Sequence, residues 1–184
     1  MRIATLVVAA LLATVVAAGA QSPYIAVYFD QYHTQETKEC PGFVLDTWYV
    51  AAVNFNVFIT GTEFKVEYPP VVTWAADLPG VNPADLVIGD TSTGISMTWG
   101  LPQIGFGSFE LCQVQVNWNC DHCAEPIANS LVKVVPNPMT GFLGVTDYPN
   151  YDLIDGVGLT AIICPLGVPN EDTTWGQVKA LYGE

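Results

Sequence analysis

Cys120 and Cys123 stand three positions apart with Asp121 and His122 between them, the spacing of a redox couple, a turn disulfide or half of a zinc site. A redox pair needs its first thiol at a helix N-terminus. Here the pair follows a strand-like run ending in Asn117-Trp118-Asn119, so a disulfide across a turn is expected. Zinc wants four ligands, and the only other histidine, His33, falls in a polar loop where it reads as an exposed turn residue. A second cluster is acidic. Asp147, Asn150, Asp152 and Asp155 supply the oxygen ligands that calcium takes, and calcium is the one cofactor this chain could use. Their spacing departs from the EF-hand pattern, and Asp and Asn also nucleate solvated turns unaided. No nucleophile elbow, zinc-protease helix, phosphate loop or dinucleotide fingerprint occurs, so no catalytic residue is assigned and the chain is expected not to be an enzyme. A hydrolase with a carboxylate pair that no spacing singles out is the most distant alternative.

Five cysteines are an odd number, so at least one lacks an internal partner. Sequence does not fix the pairing. The preferred scheme joins Cys40 to Cys164 and Cys120 to Cys123, leaving Cys112 as a buried free thiol in a strand. Disulfides require an oxidising compartment, and residues 1–20 provide the route: Arg2, an apolar run from Ile3, then Ala18-Gly19-Ala20. The expectation is a signal peptide cleaved near Ala20 and a product that is periplasmic, extracellular or on the cell surface. The whole chain carries a net charge of −13. That charge disfavours nucleic acid, and no later segment is long and apolar enough for membrane insertion.

Short runs of Val, Ile, Phe, Tyr, Trp and Thr alternate with Gly, Pro, Asn and Asp clusters, which is the pattern of an all-β protein. Gly61-Thr62 and Gly89–Gly94 read as turns, and Gly100–Ser108 as a glycine-rich loop. About nine strands and no fixed repeat point to a two-sheet β-sandwich, jelly-roll or immunoglobulin-like, over residues 21–168. Trp48, Trp74, Trp99 and Trp118 fall inside strand candidates and are expected in the core. In residues 169–184, Thr174 precedes Gln177 as in a capping box, and Trp175, Val178, Leu181 and Tyr182 share one face of a short helix. That stripe is expected to dock on the sandwich or on a partner.

The stretch from Phe64 to Val116 resembles the middle of a cohesin-type module or a related carbohydrate-binding jelly-roll. The chain is also similar to uncharacterised secreted bacterial proteins with an early Tyr28-Phe29-Asp30 strand, a closing Ile163-Cys164-Pro165 and a TTWGxVKALY-like tail at Thr173–Tyr182. The resemblance implies secretion and a β-sandwich. The function expected is an extracellular or cell-surface module that binds a protein through sheet edges or loops. The alternative is a carbohydrate-binding module using exposed tryptophans, so a protein or a polysaccharide is the expected partner.

Overall fold

The computed structural model describes residues 22–39, 44–118 and 130–164. Thirteen strands run through them: β1 (Tyr24–Tyr28), β2 (Thr37–Lys38), β3 (Val44–Val53), β4 (Phe58–Glu67), β5 (Val72–Pro79), β6 (Leu86–Asp90) and β7 (Gly94–Ile104), then β8 (Ser108–Trp118), β9 (Leu131–Val135), β10 (Gly144–Tyr148), β11 (Leu153–Asp155), β12 (Val157–Gly158) and β13 (Thr160–Ile163). Among the described residues there is no α-helix. The surplus over about nine comes largely from β2, β11 and β12, which have two or three residues each and leave no alternating pattern to read.

One sheet has the order β12-β1-β3-β8-β5. The other runs β11-β10-β4-β9-β13-β2, with the β6–β7 hairpin attached to β4. Gly61-Thr62 is not a turn but the middle of β4, where the β4–β7 register shifts between Ile59 and Gly61. A Cβ at Gly61 would stand 3.3 Å from the Met97 carbonyl, so this glycine marks a bulge with close backbone approach. Gly100–Ile104, expected in a loop, likewise continues β7.

A second bulge sets the phase of β8. Val50 pairs with Cys112 but Ala51 pairs with Glu110, so Leu111 is the extra residue. Below the bulge Phe109 points inward; above it Cys112, Val114, Val116 and Trp118 do, and Glu110 is left on the outer face. The shared core is aromatic at its centre. Trp48 meets Phe29 edge-on at 5.1 Å and Trp118 at 6.0 Å, while Trp99 packs on Phe109 at 5.5 Å. Each such side chain contributes about 1.5–3 kcal/mol by leaving water. The Trp48 indole N–H donates to Asp46 at 2.8 Å, and the same carboxylate receives Lys38 Nζ at 2.7 and 2.8 Å, tying β2 to β3.

The two long sides of the sandwich end differently. On one, β12 pairs in parallel with β1 and the chain then crosses, Leu159 N–H donating to Ile25 and the Leu159 carbonyl accepting from Val134. A Cβ at Gly158 would lie 1.8 Å from the Val134 carbonyl, so only glycine lets the crossing pass. On the other side β5 ends the first sheet and β6 ends the second, and among the described residues no strand joins them.

Candidate functional site

The open side holds a pocket of about 470 Å³. Trp74 and Leu78 of β5 form one wall, Val87 of β6 with Ile95 and Met97 of β7 the other, and Cys112 contributes to the lining from β8. Apolar walls follow from the inward phase of β7 and β8, which carries the core's surface to the rim. The Cys112 thiol is unpaired and buried, and burial, reinforced by Asp77 and Glu110, pushes its pKa well above the ordinary value. The β6–β7 turn is locked over this pocket. Asp77 receives the Thr91 N–H at 2.7 Å and hydroxyl at 2.6 Å, and the Trp74 indole at 3.0 Å. Asp90 receives Ser92 Oγ and Thr93 N–H at 2.6 and 2.8 Å, and these bonds outweigh desolvation and hold its pKa below the usual carboxylate range. The edge itself is apolar: Leu86, Val87 and Ile88 are 53%, 48% and 62% exposed.

A second cluster lies on the outer face of the first sheet. Asp30, which follows β1, accepts N–H bonds from Tyr32, Thr34 and Gln35 and the Thr34 hydroxyl. Desolvation works against these bonds, but they prevail and lower its pKa. The loop so shaped places His33 in the left-handed region, φ 56°, with its ring 5.4 Å from Tyr28. His33 is therefore not an exposed turn residue, as its polar neighbours suggested; its side chain is only 10% exposed. Nδ1 meets Ser108 Oγ at 2.6 Å, and Nε2 faces the Glu110 carboxylate at 3.7 Å. Desolvation lowers the His33 pKa, although Glu110 and Asp30 pull it the other way. This cluster pins the loop to β8; its one sequence signal is Asp30 set before Thr34 and Gln35, the pattern of a carboxylate that caps its own loop.

A third feature is a row of rings at one end of the second sheet. Phe58 is in register with both Ile104 and Tyr148, Phe106 packs edge-on against Phe58 at 5.6 Å, and Tyr151 against Tyr148 at 6.1 Å. All five side chains are exposed. Trp48, Trp99 and Trp118 are buried as expected, whereas Trp74 is half-buried at the pocket wall, so the rings of this row are phenylalanine and tyrosine.

The calcium candidates are only partly gathered. Asp147 is buried and its carboxylate already accepts the Asp152 N–H at 2.7 Å and the Asn150 amide at 3.5 Å. Asp155 sits at the far end of β11, opposite Gly144. Among the described residues no group of three or more His, Cys, Asp or Glu side chains is placed to hold a metal ion. Cys164 is disulfide-bonded. Cys40, Cys120 and Cys123 lie outside the described residues, as do residues 1–20, expected to be a signal peptide, and the tail with Trp175, Val178, Leu181 and Tyr182. Among the described residues no helix is long and apolar enough to cross a membrane.

No family model matches the sequence, and no curated protein is similar to it. Solved structures do match, and they are cohesin modules. The cohesin of a type I cohesin–dockerin complex from Clostridium thermocellum superposes with a TM-score of 0.52 at 11% identity, over 78% of this chain and 99% of that one. The sixth cohesin of scaffoldin B from Acetivibrio cellulolyticus, solved with a Cel5 dockerin, gives 0.51 at 10% identity over 78% and 98%. The cohesin module of a family 33 glycoside hydrolase from Clostridium perfringens gives 0.50 at 8% identity over 77% and 96%. The fold is thus a β-sandwich of the cohesin type.

Proposed function

We propose that this chain is an extracellular or cell-surface interaction module without catalytic activity, which binds a protein partner through its sheet edges and loops. The observation that carries the reading is the open side between β5 and β6, where an apolar pocket and an apolar strand with one free edge lie together on a cohesin-type sandwich. Two of the similar modules were solved with dockerins bound, which supports a protein partner. Export is supported by the leader-like residues 1–20 and by the bonded Cys164. Its partner in this reading is Cys40, because Cys164 N–H donates to the carbonyl of Lys38, two residues before Cys40. The test is affinity capture from the producing organism's culture supernatant with the chain from Gln21 onward, then rebinding of the purified partner. Capture and rebinding support the module; retention equal to that of the unfolded chain defeats it.

The carbohydrate reading is favoured by one observation, the exposed row Phe106, Phe58, Tyr148 and Tyr151. Retention on an insoluble polysaccharide that is lost in Phe58→Ala would support it.

A further inference from the structure

The strands at the open side differ in how they are protected. Edge strands expose unpaired N–H and C=O groups, and natural sheets blunt them with proline, lysine or bulges. β5 has such devices: a register shift between Trp74 and Ala76, and Pro79 at its end. β6 has none. Its sequence is Leu-Val-Ile-Gly-Asp, its pairing with β7 is regular from Leu86–Thr98 to Asp90–Gly94, and among the described residues nothing pairs with its other edge. In an antiparallel ladder, alternate residues turn their N–H and C=O outward, so the free edge offers backbone donors and acceptors along Leu86–Ile88, up to Gly89, whose φ of 80° leads into the turn. Val87 and Gly89 line the pocket, whereas Leu86 and Ile88 are exposed. A strand laid beside β6 would set alternate side chains over the pocket, opposite Val87 and Gly89, and Gly89 has no side chain of its own to stand against a large one.

Charge selects the strand. Asp85 precedes β6 and Asp90 ends it, and no Lys or Arg lines the pocket. A second copy pairing antiparallel through the centre of β6 would set Asp85 against Asp90 twice, on molecules that each carry a net charge of −13. Like charges directly opposite are destabilising, and basic residues there are favourable.

From this we infer that β6 is a strand-addition site for an extended segment of a partner protein, with basic residues opposite Asp85 and Asp90 and large apolar residues opposite Val87 and Gly89. The inference rests on the reading of the chain as an interaction module, and it identifies the edge and the chemistry of the partner. The main-chain ladder supplies binding that tolerates sequence variation; the pocket and the two carboxylates supply selection.

The probe is the capped peptide KFVLTK, which in antiparallel register sets its lysines against Asp90 and Asp85, phenylalanine against Gly89 and leucine against Val87. It is titrated into the chain from Gln21 onward while backbone amide signals and amide exchange are followed. Saturable shifts and slowed exchange confined to Leu86–Asp90 and the facing pocket residues are expected. Replacing the central valine of the peptide by proline should abolish binding, and glutamate in place of both lysines should weaken it about tenfold. Val87→Lys should weaken it similarly, and Ile88→Lys, at a side chain 62% exposed, repeats the test on a position that packs little of the core. No shift, equal binding of the proline peptide, protection elsewhere than β6, or self-association of the chain through β6 would each overturn the assignment. The two readings fail separately. A chain that captures a supernatant partner unaffected by Val87→Lys or Ile88→Lys loses the edge assignment and keeps the module; one that binds KFVLTK at β6 yet captures nothing keeps the edge and loses the module.

Discussion

Replacing Asp46 by alanine tests how β2 and the core are held together. Asp46 accepts four bonds: two from Lys38 Nζ at 2.7 and 2.8 Å, one from the Thr47 N–H at 3.0 Å and one from the Trp48 indole at 2.8 Å. Trp48 is fully buried, so alanine would strand its N–H away from water, at a cost of about 1–3 kcal/mol. The ion pair is partly open, its side chains 25% and 15% exposed, so solvent screening limits its share to roughly 1 kcal/mol or less. Together the loss is about 1–4 kcal/mol, a fall in Tm of roughly 2–16 °C for a domain of this size. Asn at this position keeps one amide oxygen for the indole but loses the charge and the second acceptor, the one the Thr47 N–H uses, so Asp46→Asn should cost about 1–2 kcal/mol, less than Asp46→Ala. Urea unfolding followed by tryptophan fluorescence, with the slope held constant, measures both. Equal losses in Asp46→Ala and Asp46→Asn would refute the reasoning, because the indole bond would then carry none of the effect.

Native stability should fall as pH drops from about 6.5, the ordinary value of His33, through its lowered native value, because the unfolded chain takes up that proton more readily. His33→Gln should flatten this part of a pH–Tm profile. Below about 3.8 the slope should steepen again as Asp30 and Asp90, both lowered in the native state, are protonated. Cys112 should resist alkylation in the native protein and react on unfolding, as mass spectrometry of iodoacetamide-treated samples would show; rapid native labelling would contradict its burial. Asp30→Ala should release the loop bearing His33, read as faster amide exchange at Tyr32, Thr34 and Gln35 with little loss of global stability.

Strand content was legible because most strands bury one face only. Phe64 and Val66 alternate with the more exposed Glu63, Lys65 and Glu67 in β4, and the run from Cys112 to Trp118 shows the same period. Where the pattern breaks, a bulge is responsible: Glu110 falls out of phase because Leu111 is an extra residue, and Gly61 reads as a turn although it marks a bulge inside β4. The aromatic core was also legible, since Trp48, Trp99 and Trp118 lie at inward positions of their strands. The candidate site was not. The free edge of β6 depends on which strands end each sheet, and that is fixed by long-range pairing, β4 with β7 and β3 with β8, which local composition does not encode. The burial of His33 was hidden for the same reason, because Ser108 and Glu110 reach it from 75 or more residues away.

The central claim, that this sandwich works by binding a protein, is tested most directly by one binding measurement: calorimetric titration of the chain beginning at Gln21 with the protein it retains from its own culture supernatant. The account predicts a saturable one-to-one isotherm with a negative heat-capacity change, the mark of apolar surface leaving water at the open side. An isotherm without saturation, or no protein retained beyond what the unfolded chain holds, would contradict it.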